Sequence, residues 1–241
     1  MSRSNPTVNT PNPSTRWFEW SGGKGGIKYY DKEAKVSVDV PLPFKFILLD
    51  KLATITGWHD PSQSGIYSNE VRDTVKETFV VKSFKGGILA QGHYKDIKDK
   101  VAVAGGSYTA NLYLAYKDGG ELKIGALKFK GAALSSWMEF EKNHRRELFT
   151  KAVLITGMTQ GKKGSVTFNT PTFELADVAE EANKLATALD IELQQYLNGY
   201  FASRTVEQVT THEEVGERVY VMEETPTPTE AQMPNDDSLP F

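Results

Sequence analysis

The chain has 241 residues and no cysteine, which excludes disulfides, thiolate zinc sites, iron–sulfur clusters and a cysteine nucleophile and leaves packing as the source of stability. Its formal charge of −3 conceals a polarity: residues 1–173 carry 25 Lys and Arg against 16 Asp and Glu, whereas residues 174–241 carry 3 against 15. The first residues lack the apolar core of a signal peptide and no run approaches the ~18 apolar residues of a membrane span, so a soluble protein made in the cytosol is expected.

Residues 1–14 hold Pro6, Pro11 and Pro13 among Ser, Thr and Asn, and read as a disordered arm. From residue 15 to 175 the hydrophobic period is mostly two and glycine turns interrupt it, the pattern of many short antiparallel strands. Candidate strands are Thr15 to Trp20, Ile27 to Tyr30, Lys35 to Leu49 with a kink at Pro41 and Pro43, Thr78 to Phe84, Ile88 to Tyr94, Tyr108 to Tyr116, Leu122 to Phe129, Lys151 to Met158 and Ser165 to Phe173. Lys117-Asp118-Gly119-Gly120 and Gly161-Lys162-Lys163-Gly164 supply the residues that tight hairpins need. All four tryptophans and 21 of the 26 aromatics fall between Trp17 and Phe173, so this window is the folded body.

A short helix is expected at Ser136 to Arg145, where Ser136 and Glu139 match a capping box. A longer amphipathic helix fills residues 176–201: Val178, Ala182, Leu185, Leu189, Leu193, Tyr196 and Tyr200 share one face at spacings of three and four. That face should dock on the body or pair with a second subunit, which allows a homo-oligomer. Residues 202–241 read as an acidic, largely disordered tail, with a candidate strand at Arg218 to Met222.

Catalytic constellations are missing from the sequence. His59, His93, His144 and His212 have no partner at metal-ligand spacing, and Ser21-Gly22-Gly23-Lys24-Gly25-Gly26 lacks the spacing of a phosphate-binding loop. Asp96 with Asp99, and Glu139 with Glu141, sit among Lys and Arg and read as salt-bridged surface. No enzyme activity, cofactor or metal is expected.

A basic, aromatic-rich β body suits single-stranded nucleic acid, because lysines follow phosphates while rings stack on bases. Basic and aromatic residues adjoin at Arg16-Trp17, Lys28-Tyr29-Tyr30, Lys82-Ser83-Phe84-Lys85 and His93-Tyr94-Lys95, among others. The candidates for stacking are Trp17, Trp20, Tyr30, Trp58, Phe84, Tyr94 and Tyr113, and those for phosphates are Lys24, Lys28, Lys82, Lys85, Lys95 and Lys123. The competing reading of each ring is barrel core, and of each lysine a solvated edge.

The end of the chain, Asp236-Asp237-Ser238-Leu239-Pro240-Phe241, places an apolar tripeptide on a charged tail. Such a tip fits a basic-rimmed apolar pocket on another protein, and Asp236, Asp237, Leu239, Pro240 and Phe241 are its candidate partner-binding residues. It resembles the acidic C-terminal peptide of bacterial and phage single-stranded DNA-binding proteins. The body also resembles phage-encoded single-stranded DNA-binding proteins, through Arg16-Trp17-Phe18-Glu19-Trp20, Tyr29-Tyr30-Asp31-Lys32, Pro41-Leu42-Pro43-Phe44, Ser68-Asn69-Glu70-Val71-Arg72-Asp73, Tyr94-Lys95-Asp96-Ile97-Lys98-Asp99-Lys100, Ala115-Tyr116-Lys117 and Lys130-Gly131-Ala132-Ala133-Leu134.

That resemblance implies a mainly β fold, an OB-type antiparallel barrel, here enlarged by added strands and a C-terminal helix. It implies binding of single-stranded DNA without sequence preference during phage replication, recombination or repair in the cytoplasm of a bacterial host, with replication or recombination proteins recruited by the tail. No individual DNA contact is carried over from the family. The rival expectation is a β-rich virion or scaffold protein with an acidic assembly tail and no nucleic-acid binding.

Overall fold

The alternating segments become strands because burying every second side chain on one face of a sheet is the cheapest way to cover so many rings. The computed structural model describes residues 11–207. Its strands are β1 (Arg16–Trp20), β2 (Ile27–Asp31), β3 (Val36–Val40), β4 (Phe44–His59), β5 (Ser64–Ser68), β6 (Phe79–Ser83), β7 (Gly87–Gly92), β8 (Gly106–Asp118), β9 (Glu121–Lys130), β10 (Ala152–Lys163) and β11 (Val166–Ala176). The helices are α1 (Tyr94–Val103), α2 (Gly131–His144) and α3 (Glu180–Glu207). No helix among the described residues is long and apolar enough to cross a membrane.

All strands join one sheet in the order β3-β2-β1-β9-β8-β4-β5-β6-β7, with β10 on the first half of β4 and β11 on β10. The expectation of a mainly β body with a C-terminal helix holds, and the sheet is mixed. β1 runs parallel to β9, and the sheet does not close on itself. β11 reaches back only to the turn after β1, where Asn169 N–H donates to Gly22 O at 2.8 Å.

Two cores lie on one face. Phe18, Trp20, Phe46, Leu112, Leu114, Leu127 and Phe129 pack under α2, whose Trp137 ring sits 6.0 Å from Phe129 and 6.4 Å from Phe46. Ala53, Ile55, Ile66, Phe79 and Val81 pack under Tyr94, Ile97 and Val101 of α1. On the opposite face Leu52, Tyr113, Ile124 and Ala126 lie beneath Leu193, Tyr196 and Leu197 of α3. Burying Leu193 and Leu197 fully contributes about 1.5–3 kcal/mol each.

Several elements differ from expectation. Lys35 to Leu49 is two strands, because Pro41 and Pro43 stop β3 and β4 starts afresh at Phe44 and runs to His59. β5 and α1 had not been expected at all, and the strand that should have reached Tyr94 ends at Gly92. α2 starts five residues early, at Gly131, and Ser136 caps nothing: its hydroxyl donates to Pro171 O at 3.0 Å. Along α3 the buried residues are Ala186, Leu193, Tyr196 and Leu197, whereas Leu185 is exposed and Val178 precedes the helix.

The limits of the body also move. Residues 11–14 are ordered against it, with Ser14 buried and Asn12 Nδ2 donating to Tyr113 Oη at 3.4 Å. α3 runs on to Glu207, beyond the expected end at 201. Residues 1–10, the candidate strand Arg218 to Met222 and the tip Asp236 to Phe241 lie outside the described residues.

Candidate nucleic-acid interface

Register decides which side chains share the face that α3 partly covers. Trp58 of β4 stands opposite Gly65 of β5, Tyr67 opposite Lys82 of β6, and Lys82 opposite Ile88 of β7. Cross-strand partners point to the same side, so Trp58, Tyr67 and Lys82 project together beyond the end of the α3 footprint. Phe84 joins them from just past β6. Its N–H donates to Gly65 O at 3.2 Å, and a Cβ on Gly65 would lie 3.3 Å from the ring. Phe84 therefore lies over Gly65 and stacks on Tyr67, with centroids 4.6 Å apart and planes 26° apart.

This group is an accessible aromatic platform. Trp58 and Phe84 are 36% and 39% exposed, which for large rings on a sheet leaves surface on which a base can stack. Lys82 flanks Tyr67 and Lys85 follows Phe84 in the β6–β7 turn. No carboxylate among the described residues pairs with either lysine.

The two hairpin tips that carry the rings are fastened together by hydroxyls. His59 Nδ1 is 2.7 Å from Ser62 Oγ, which is 2.8 Å from Ser64 Oγ, and Ser64 Oγ accepts from Lys85 N–H at 3.1 Å. Ser83 Oγ accepts from Gly86 N–H at 2.7 Å. Gly86 is required here, because a Cβ would collide with Ser83 Oγ. The knot ties the chain beside Trp58 to the chain beside Phe84.

No family model, curated protein or solved structure matches this chain.

The rest of the face belongs to α3. Beneath the helix the Glu70 carboxylate accepts from Asn111 Nδ2 and from Tyr113 Oη, the latter at 2.7 Å. Glu70 N–H donates to Tyr200 Oη at 2.8 Å, and Arg204 Nη1 donates to Glu70 O at 2.6 Å. Burial, reinforced by the Glu70 charge, pushes the Tyr200 hydroxyl up to about 12 and drives Tyr113 in the same direction. Farther along, Gln194 bridges to Asp50 at 3.0 Å and Arg72 to the same carboxylate at 2.8 Å. These polar ties and the apolar contacts around Leu193 fix α3 in place.

Of the rings expected to stack, Trp58 and Phe84 are on the platform and three are interior. Trp20 is core, its Nε1–H donating to Asn169 O at 2.8 Å. Tyr94 opens α1 and packs against Tyr108 at 4.9 Å. Tyr113 is sealed under α3. None of these three offers a face to a base. Trp17 is half-buried against the α3 core with Lys32 Nζ 5.0 Å above its ring, and Tyr30 is half-buried on β2, opposite Ser37.

The lysines divide in the same way. Lys82 and Lys85 flank the platform. Lys28 is 3.7 Å from Glu19, and Lys123 is 3.0 Å from Asp118, opposite the core residue Tyr116, so both are paired surface cations away from the platform. Lys95 is exposed on α1, across the sheet from the platform. Lys24 is exposed at the β1–β2 turn, away from the platform. Tyr67 was missed because no basic residue adjoins it in sequence; its lysine, Lys82, arrives across the ladder.

Proposed function

We propose that this chain binds single-stranded DNA without sequence preference, with bases stacked on Trp58, Tyr67 and Phe84 and phosphates held by Lys82 and Lys85. The observation that carries the reading is the Tyr67–Phe84 stack beside the exposed Trp58 ring, with Lys82 on the same sheet face and Lys85 in the adjoining turn, neither paired with a carboxylate among the described residues. Lysine without rings would suit any polyanion and rings without lysine any apolar partner; together they suit an unpaired strand. The fold reading is an enlarged OB-type barrel of a phage-encoded protein acting in the cytoplasm of a bacterial host. The single core that β1, β4, β8, β9 and β10 share around Trp137, and the Asn169–Gly22 contact that links β11 back to the turn after β1, support that reading.

The acidic tail recruits replication or recombination proteins through Asp236, Asp237, Leu239, Pro240 and Phe241. In the absence of DNA it competes for the basic surface as a tethered anion. Arg204, near the end of α3, bonds to Glu70 O, three residues past Tyr67, which brings that part of α3 near the platform.

A titration with oligo-dT, read by tryptophan fluorescence at several salt concentrations, tests the function. Quenching with a negative log–log salt slope of ~0.7 per phosphate contact is expected. No quenching, a flat salt dependence or equal affinity for duplex rejects it. Removing residues 225–241 should tighten binding, and unchanged affinity removes the competition by the tail.

A further inference from the structure

A second set of cations lies at the other end of the sheet. β10 runs antiparallel to β4, leaves it after the Ile155–Phe44 pair, and continues with β11 as a two-stranded arm; its turn is Gly164-Ser165 and not the expected Gly161 to Gly164, so that Lys162 and Lys163 are the last residues of β10, paired with Thr167 and Val166. From Lys151 to Phe173 the sequence holds no Asp or Glu. The β1–β2 turn is clamped to the arm: Asn169 donates from N to Gly22 O at 2.8 Å and from Nδ2 to Gly23 O at 3.0 Å, and Met158 Sδ fills the space where a Cβ of Gly25 would be. That clamp sets Lys24 on the flank of an arm whose tip presents Lys162 and Lys163. All three are exposed, and no carboxylate among the described residues pairs with them.

Position separates this arm from the platform. β4 has 16 residues, with Phe44 at the arm end and Trp58 at the platform end. At about 3.3 Å per residue, the path along the strand between those two is of the order of 45 Å. The arm also lacks exposed rings, since Phe168, its one aromatic beyond Met158 and before Asn169, is half-buried over Gly161. Cations without stacking surface suit phosphate contact alone.

We infer that the arm, through Lys24, Lys162 and Lys163, is a second and purely electrostatic contact zone for the same single strand, which the chain holds at two separate places. This rests on the proposed function. A strand long enough to reach both zones makes its second contact intramolecularly, so affinity rises with length beyond what the platform alone supplies.

The test uses the full chain with Lys162→Ala and Lys163→Ala combined, and separately Trp58→Ala, against oligo-dT of about 8 and about 40 nucleotides, lengths within and well above the usual site of one OB-type module, about 4–16 nucleotides. The arm variant should leave the short oligomer unaffected and make the salt slope for the long one shallower by ~1.4, two contacts at ~0.7 each. An unchanged slope for the long oligomer overturns the second zone, while weaker binding of both lengths by Trp58→Ala keeps the platform reading intact. Equal weakening of both lengths by the arm variant makes the arm part of one site and also overturns the inference. If Trp58→Ala changes nothing at either length, the platform reading is what fails.

Discussion

The Phe84 ring stacks on Tyr67 with centroids 4.6 Å apart, and it does so directly above Gly65, the one residue of β5 on that face without a side chain. The missing Cβ lets the ring settle onto the sheet as a shelf. Trp58, opposite Gly65 on β4, is the remaining ring of the group. Base–aromatic stacking is worth about 1–3 kcal/mol per base, so Trp58→Ala and Tyr67→Ala should each weaken oligo-dT binding by about 5- to 150-fold. Equilibrium titration of the two variants checks this.

Fluorescence gives a sharper version. Trp20 and Trp137 are buried and Trp17 is half-buried against the α3 core, which leaves Trp58 as the exposed indole. Trp58→Phe keeps a ring for stacking and removes the reporter. The variant should retain most of the affinity, measured by anisotropy of labelled DNA, and lose most of the quenching.

Lys82 and Lys85 should each contribute one phosphate contact. Lys82→Ala or Lys85→Ala is expected to make the log–log salt slope shallower by ~0.7. Lys123→Ala, which removes a cation already bonded to Asp118, should leave the slope where it is. A salt series on the three variants separates the two classes.

Alkaline pH should loosen the α3 contact. The Tyr200 hydroxyl is raised from an ordinary 10.0 to about 12 by burial and by the Glu70 charge, and Tyr113 shifts the same way. The folded state therefore favours the neutral phenol. Its contribution is complete below the unfolded value of about 10 and is lost as pH climbs through about 12. Denaturant midpoints measured from pH 9 upward should fall over that range, and Tyr200→Phe should flatten the fall.

The packing of α3 makes a stability prediction that the bare periodicity gets wrong. Leu193→Ala empties a fully buried site and should cost about 2–5 kcal/mol. Leu185→Ala, at an exposed site that the periodicity had put on the buried face, should stay within about 0.5 kcal/mol. Urea unfolding compares them directly.

Much of the sheet was legible because strands such as Phe79–Ser83 bury every second side chain and glycine turns punctuate the hairpins, as at Gly119-Gly120 between β8 and β9. β5 was not, since Ser-Gly-Ile-Tyr-Ser carries little hydrophobicity of its own and is held by ladders to β4 and β6. α1 was legible in principle: Tyr94, Ile97 and Val101 sit at helical spacing, but Tyr94 also continues the apolar pattern of the strand before it and was read as that strand's end. The site was read half correctly for a related reason. Successive residues in a strand point to opposite faces, so a lysine next to a ring in sequence is a poor guide to a lysine next to it in space. Lys82 belongs with Tyr67, fifteen positions earlier, and Trp20 and Tyr94 turned inward.

β4 contributes Phe44 and Phe46 to the α2 core, Ala53 and Ile55 to the α1 core, and Leu52 to the layer under α3. A single backbone thus threads all three apolar clusters of the described residues. Heating should accordingly melt the body in one cooperative step, with calorimetric and van't Hoff enthalpies in agreement, and a proline placed mid-strand at Thr54 should split that transition or abolish it.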